Sequence, residues 1–149
     1  MRIACISTSR VPFSTANSIQ VMKVCQGLAA LGHTVCLWVP GDKPADWEMI
    51  KEFYGLRTAF EVRWVSSQAV WRRYDFALAV VREAKRWGAQ MIYTWLLPAA
   101  LMSLWFNIPT LLELHDRVTG HLGPQFYRMF YGHKKGKKRL LVITQALKE

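Results

Sequence analysis

Two rhythms of apolar residues alternate along the chain. RIACIS (2–7) is a short, strongly apolar run that reads as a strand. From Ser18 to Gly32 the spacing changes: Val21, Val24, Leu28 and Leu31 recur every three or four residues, as on one side of a helix. A second stripe, Ile19, Met22, Cys25 and Ala29, widens the apolar surface and predicts a heavily buried helix. Gly32 is the expected terminator, in the left-handed position where a missing side chain costs least. VCLWVP (35–40) is a continuous apolar run bounded by Pro40-Gly41, the pattern of a strand buried on both faces. Asp46 is placed to cap a helix through WEMIKEFYG, ending at Gly55, and FEVRWV (60–65) alternates like a strand.

The same alternation continues to the end. Ala77, Val80, Ala84 and Trp87 form the apolar stripe of a helix whose other side carries Arg82, Lys85 and Arg86. QMIYTW reads as a strand, 97–106 as a short helix, TLLEL as a strand, 122–133 as a helix and RLLVIT (139–144) as a strand. Strands separated by helices predict an α/β domain: a Rossmann-like open parallel sheet with helices on both faces. The closing QALKE looks like the opening of another helix, so the chain reads as the first part of something longer.

No charged residue lies between Trp87 and Leu112, a length that could cross a membrane. Pro98, Asn107 and Pro109 interrupt it and its pattern changes from strand to helix to strand, so a soluble strand–helix–strand unit is expected instead. Composition adds one constraint. Of 149 residues, 52% are apolar and 20% charged, which excludes global disorder, but the net charge of +10 calls for an anionic partner. Cys5, Cys25 and Cys36 are odd in number, lack CxxC spacing and sit in apolar runs, as buried thiols in a reducing cytoplasm do. The N-terminal apolar run is too short for a signal peptide.

In an open parallel sheet, ligands bind beyond the carboxyl ends of the strands. Three segments fall there. The first, STSRVPFSTANS, supplies Ser9, Arg10, Thr15, Asn17 and Ser18, with Gln20 two residues further into the helix. With Asn17 or Ser18 as N-cap, the first helical N–H groups would face the loop and suit a phosphate or a sugar hydroxyl; the plain alternative is a cap beside a solvated Arg10. The second segment, ELHD, gathers Glu113, His115 and Asp116, able to serve as base, orienting group or hydroxyl ligands, or simply as a solvated strand end. The third is Tyr93-Thr94. No GxGxxG, GxxxxGK[ST] or GxSxG motif is present, and the histidines lack metal-site spacing with the cysteines, so neither metal nor cofactor is expected.

Residues 134–139, KKGKKR, follow the aromatic stretch FYRMFYG and hold five of the 20 basic side chains. A solvated loop is the plain reading. The alternative is a membrane-surface patch in which Lys134, Lys135, Lys137 and Lys138 meet anionic headgroups. No recognition module accompanies the charge to suggest nucleic acid.

The opening RIACISTSRVPFSTANSIQVMKVCQGLAALGHTVCLWVP resembles that of glycosyltransferase family 4 proteins of the GT-B fold, with ANSIQVMK and GHTVCLWVP its most specific segments. QMIYTW, TLLELHD and RLLVITQALKE are similar to later family segments and keep their order. The resemblance implies one half of a GT-B fold: residues 1–149 as the N-terminal, acceptor-side domain, with the C-terminal donor-binding domain and its Glu-x7-Glu motif absent. It further implies a nucleotide-sugar donor, a sugar or lipid-linked acceptor, transfer with retention, and His115 as the cleft histidine beside the transferred sugar. Thr94, Glu113 and Asp116 would join the loop residues around substrate. Members commonly carry a glycine-rich loop where this chain has Ser-Thr-Ala-Asn-Ser. Two other classes stay open: a non-catalytic peripheral membrane or regulatory module, and a different nucleotide-binding α/β domain.

Overall fold

The computed structural model describes residues 1–66, 74–115, 122–134 and 136–142. Among the described residues six strands and five helices alternate strictly: β1 (Arg2–Ile6), α1 (Ala16–Ala30), β2 (Thr34–Pro40), α2 (Trp47–Tyr54), β3 (Glu61–Val65), α3 (Tyr74–Trp87), β4 (Met91–Thr94), α4 (Leu97–Trp105), β5 (Thr110–Leu114), α5 (Gly123–Gly132) and β6 (Lys138–Val142). The strands form one sheet in the order β3-β2-β1-β4-β5-β6, and every pairing is parallel. This is the doubly wound α/β arrangement expected from the alternation.

The apolar runs land where the sheet is deepest. In β1 and β2 nearly every residue is buried, whereas the edge strand β6 alternates between half-buried and exposed, with Leu141 44% exposed. Alternate residues feed opposite cores. Ile3, Cys5, Leu37 and Val39 pack with Val21, Met22 and Cys25 of α1 and with Ile50 and Tyr54 of α2. Ala4, Ile6, Cys36 and Trp38 face α3, whose Phe76, Ala77, Val80, Val81 and Ala84 are all buried. A third cluster joins Leu97, Ala100 and Leu104 of α4 to Leu112 and to Phe130 of α5.

The uncharged stretch divides into β4, α4 and β5, and among the described residues no helix is long and apolar enough to cross a membrane. Gly32 and Gly55 hold left-handed φ angles of +83° and +58° at the ends of α1 and α2. Asp46 caps α2 by accepting from the N–H groups of Glu48 and Met49.

Two expectations for α1 need correction. Its N-cap is Thr15, whose hydroxyl accepts from Ser18 N–H at 3.4 Å, and neither Asn17 nor Ser18. The helix therefore starts two residues earlier than predicted. Its burial is also narrower: Ile19 and Leu31 are 42% and 74% exposed, because α1 lies on the sheet by one side only. The expected end of the last strand, 143–144, and the helical start QALKE fall outside the described residues.

Candidate functional site

Strand order reverses beside β1: its neighbour β2 leads toward β3, while β4 leads toward β5 and β6. Helices leave β1 and β4 on opposite faces, the arrangement that in open α/β sheets sets a ligand crevice at the carboxyl ends between them. Thr94 holds this point together. Its hydroxyl donates to the Ile6 carbonyl at 2.9 Å and accepts from Leu96 N–H at 3.0 Å. Fully buried and committed to backbone, Thr94 joins the two strand ends.

The loop after β1 is pinned by groups far away in sequence. Ser7 donates to Ser9 Oγ at 3.0 Å, which also accepts from Asn17 Nδ2 at 3.0 Å. Ser18 points inward, donating to the Arg10 carbonyl at 2.8 Å and meeting the Tyr54 hydroxyl at 2.6 Å. That hydroxyl lies 2.7 Å from Phe13 N and 3.0 Å from Phe13 O, while Trp64 Nε1 donates to the Val11 carbonyl. The Val11–Pro12 peptide is cis. Arg10 stays exposed and, with Pro12, Phe13, Asp42 and Lys43, lines an open cavity of about 420 Å³ at these strand ends. A larger hollow of about 690 Å³, bounded by Met91, Leu111, Lys137 and Arg139, lies at the other end of the strands and takes no part in the crevice.

Across the crevice, β4, β5 and α1 bring four side chains together. Glu113 is buried, at 3% exposure. Its Oε2 accepts from the Tyr93 hydroxyl, and its Oε1 accepts from Gln20 Nε2 at 2.8 Å and lies 2.7 Å from His115 Nε2. Burial first, and then the bond to Glu113, push the Tyr93 phenol well above its ordinary pKa, so it remains a neutral donor. Trp95 stacks on Tyr93 at 4.7 Å between ring centroids, and its indole N–H is buried without a hydrogen-bond partner among the described residues. His115 keeps 24% of its side chain exposed.

The candidates thus fall into two groups: Ser9, Thr15, Asn17 and Ser18 on the loop and helix start, with Ser9 and Ser18 buried and bonded within it, and Gln20, Glu113 and His115, which meet at the end of β5. Asp116 lies outside the described residues. So does Lys135. Lys134 and Lys137 are exposed near the far end of α5, but Lys138 has another occupation. Its ammonium donates to the carbonyls of Phe130, Tyr131 and His133 at 2.6–2.7 Å, closing the end of α5. Sequence reasoning did not find Tyr54, Trp95 or the linkage of Tyr93 to Glu113. No motif carries them, since each acquires its part through contacts made by the fold. Among the described residues no three His, Cys, Asp or Glu side chains cluster to hold a metal ion.

The family model described as Glycosyltransferase Family 4 matches residues 18–148. Among solved structures, MurG of Acinetobacter baumannii is similar with a TM-score of 0.56 at 12% identity, over 86% of this chain and 39% of that one. That likeness shows the fold, a Rossmann-like half of a GT-B architecture. Biliverdin reductase from Synechocystis sp. PCC 6803, solved with biliverdin and NADP+, aligns over 95% of this chain and 37% of its own, at 14% identity and a TM-score of 0.47 too low to carry an argument. The chain spans less than two fifths of the length of either protein. No curated protein sequence matches it.

Proposed function

Because the chain belongs to glycosyltransferase family 4, we propose that it forms the acceptor side of a cleft in which a sugar passes from a nucleotide-sugar donor to an acceptor hydroxyl, with retention of configuration. The observation that carries this reading is the convergence of the pinned β1–α1 loop and the Glu113–His115 cluster on the switch point of the sheet. The family match begins at Ser18, so the part given to the loop rests on its position.

In this reading small side chains line the loop because a bulky one would fill the space a sugar needs. The N-terminus of α1, with its partial positive charge, faces the donor diphosphate and stabilises the charge that develops as it leaves. His115 positions a hydroxyl near the transferred sugar. A second domain carries most of the donor contacts. Lys134 and Lys137, with exposed Met129 and Tyr131 nearby, suit a lipid-linked acceptor presented at an anionic surface, and in this reading the protein works at the cytoplasmic face of a membrane.

The test is transfer by the complete polypeptide that carries this chain, supplied with labelled nucleotide sugars and with lipid and glycan acceptor fractions. Labelled acceptor is expected, and His115→Ala is expected to lower turnover by about two to three orders of magnitude. Its stability should change by about 1 kcal/mol or less, and His133→Ala should leave transfer intact. Normal transfer with early melting would make His115 a structural residue. No labelled product from any donor would overturn the enzyme and favour a non-catalytic module.

A further inference from the structure

Glu113 has the burial of a core residue and the charge of a surface one. A carboxylate this deep requires donors, and three reach it: the Tyr93 hydroxyl on Oε2, then Gln20 Nε2 and His115 Nε2 on Oε1. An ionised carboxylate can only accept hydrogen bonds, so each proton in these contacts belongs to the partner. That orders the site. The Gln20 amide must turn its nitrogen toward Glu113, and His115 must carry its proton on Nε2. The 3.2 Å approach of Gln20 Nε2 to His115 Nε2 is then two donors side by side on one oxygen, with no bond between them. A neutral imidazole has a single N–H, so Nδ1 keeps its lone pair. No described side chain occupies Nδ1, and the ring is partly open to solvent at the end of β5.

We propose that Glu113 is a positioning residue which, itself locked by Tyr93 and Gln20, holds His115 as the Nε2–H tautomer and so makes Nδ1 a hydrogen-bond acceptor for substrate. An acceptor nitrogen meets a hydroxyl well and a phosphate oxygen poorly, because the partner must bring the proton. His115 in this state therefore selects a sugar or acceptor hydroxyl. The use of the dyad for substrate rests on the glycosyltransferase reading; the tautomer does not.

Long-range proton–nitrogen correlation spectra of the isotope-labelled 149-residue chain read the tautomer directly. They are recorded at about pH 8, above the ordinary histidine pKa of ~6.5, with His115→Ala identifying the resonances. The wild type is expected to show a protonated Nε2 and a bare Nδ1. Glu113→Leu, which removes the acceptor facing Nε2–H, is expected to let the ring average between tautomers, while Gln20→Leu keeps the proton on Nε2. A wild-type ring protonated on Nδ1, or averaging between tautomers, overturns the proposal, as does an unchanged tautomer in Glu113→Leu. If Glu113→Leu does not fold, the wild-type spectrum still decides. A chain with the expected tautomer that belongs to no transferring enzyme keeps the dyad and removes the glycosyltransferase reading; a transferring enzyme with the other tautomer does the reverse.

Discussion

The Tyr93 hydroxyl connects chemistry with stability at a single residue. Its bond to Glu113 satisfies one oxygen of a buried carboxylate, and Phe in its place leaves that oxygen without its donor. Tyr93→Phe is expected to cost about 1–3 kcal/mol in urea unfolding near neutral pH. A pH dependence follows from the raised phenol pKa, caused first by burial and then by Glu113. Below pH ~10, the ordinary tyrosine value, the phenol is neutral in both states and its contribution is whole. As pH rises further only the unfolded chain ionises there, and stability is lost. Unfolding curves taken on either side of pH ~10 should show this fall, and show it reduced in Tyr93→Phe. An identical alkaline fall in both proteins would place its origin elsewhere. Glu113 and His115 were visible in the sequence as a titratable group at a strand end. Their partners were not, because Gln20 lies 93 residues before Glu113 and Tyr93 lies 20 before it. Only the parallel pairing of β4 with β5, with α1 alongside, makes the four one site.

Elements were more legible than their ends. Gly32 and Gly55 mark helix ends by a left-handed backbone that other residues adopt less readily, Asp46 marks a helix start by its side-chain cap, Pro40 ends β2, and the periodicity between them named each helix and strand. The start of α1 was harder to read. Ser14, Thr15, Asn17 and Ser18 are all capable caps, and the choice is made by contacts with α2 and the β1–α1 loop. Tyr54 and the Arg10 carbonyl draw the Ser18 hydroxyl inward, leaving Thr15 to cap. Asp46→Ala should cost about 1 kcal/mol through the loss of the α2 cap, measured by thermal or urea unfolding. Lys138→Met should cost a similar amount, about 1 kcal/mol, because three carbonyls at the end of α5 lose a charged donor. Unchanged stability in Lys138→Met would show that water serves those carbonyls equally well.

For the whole molecule, a net charge of +10 and exposed Lys134 and Lys137 predict sedimentation with anionic vesicles in preference to neutral ones, weakened by added salt. Lys134→Gln with Lys137→Gln should reduce that binding, whereas Lys138→Met should change it little, since Lys138 is turned onto the end of α5. Equal binding to both vesicle types would remove the membrane surface from the functional reading. The layered architecture also furnishes a clock. Cys5, Cys36 and Cys25 sit at 0% exposure in β1, β2 and α1, and burial pushes the Cys25 and Cys36 thiols up, away from the reactive thiolate. An alkylating reagent can reach them only when the structure parts, so labelling rates time its openings. With α1 held on one side only, Cys25 is expected to label first as the helix lifts. Cys5, which packs against α1 in the same layer, should follow closely as its cover goes, whereas Cys36, on the opposite face beneath α3, should wait until that side opens. Three equal rates would mean instead that helix and sheet come apart in a single event.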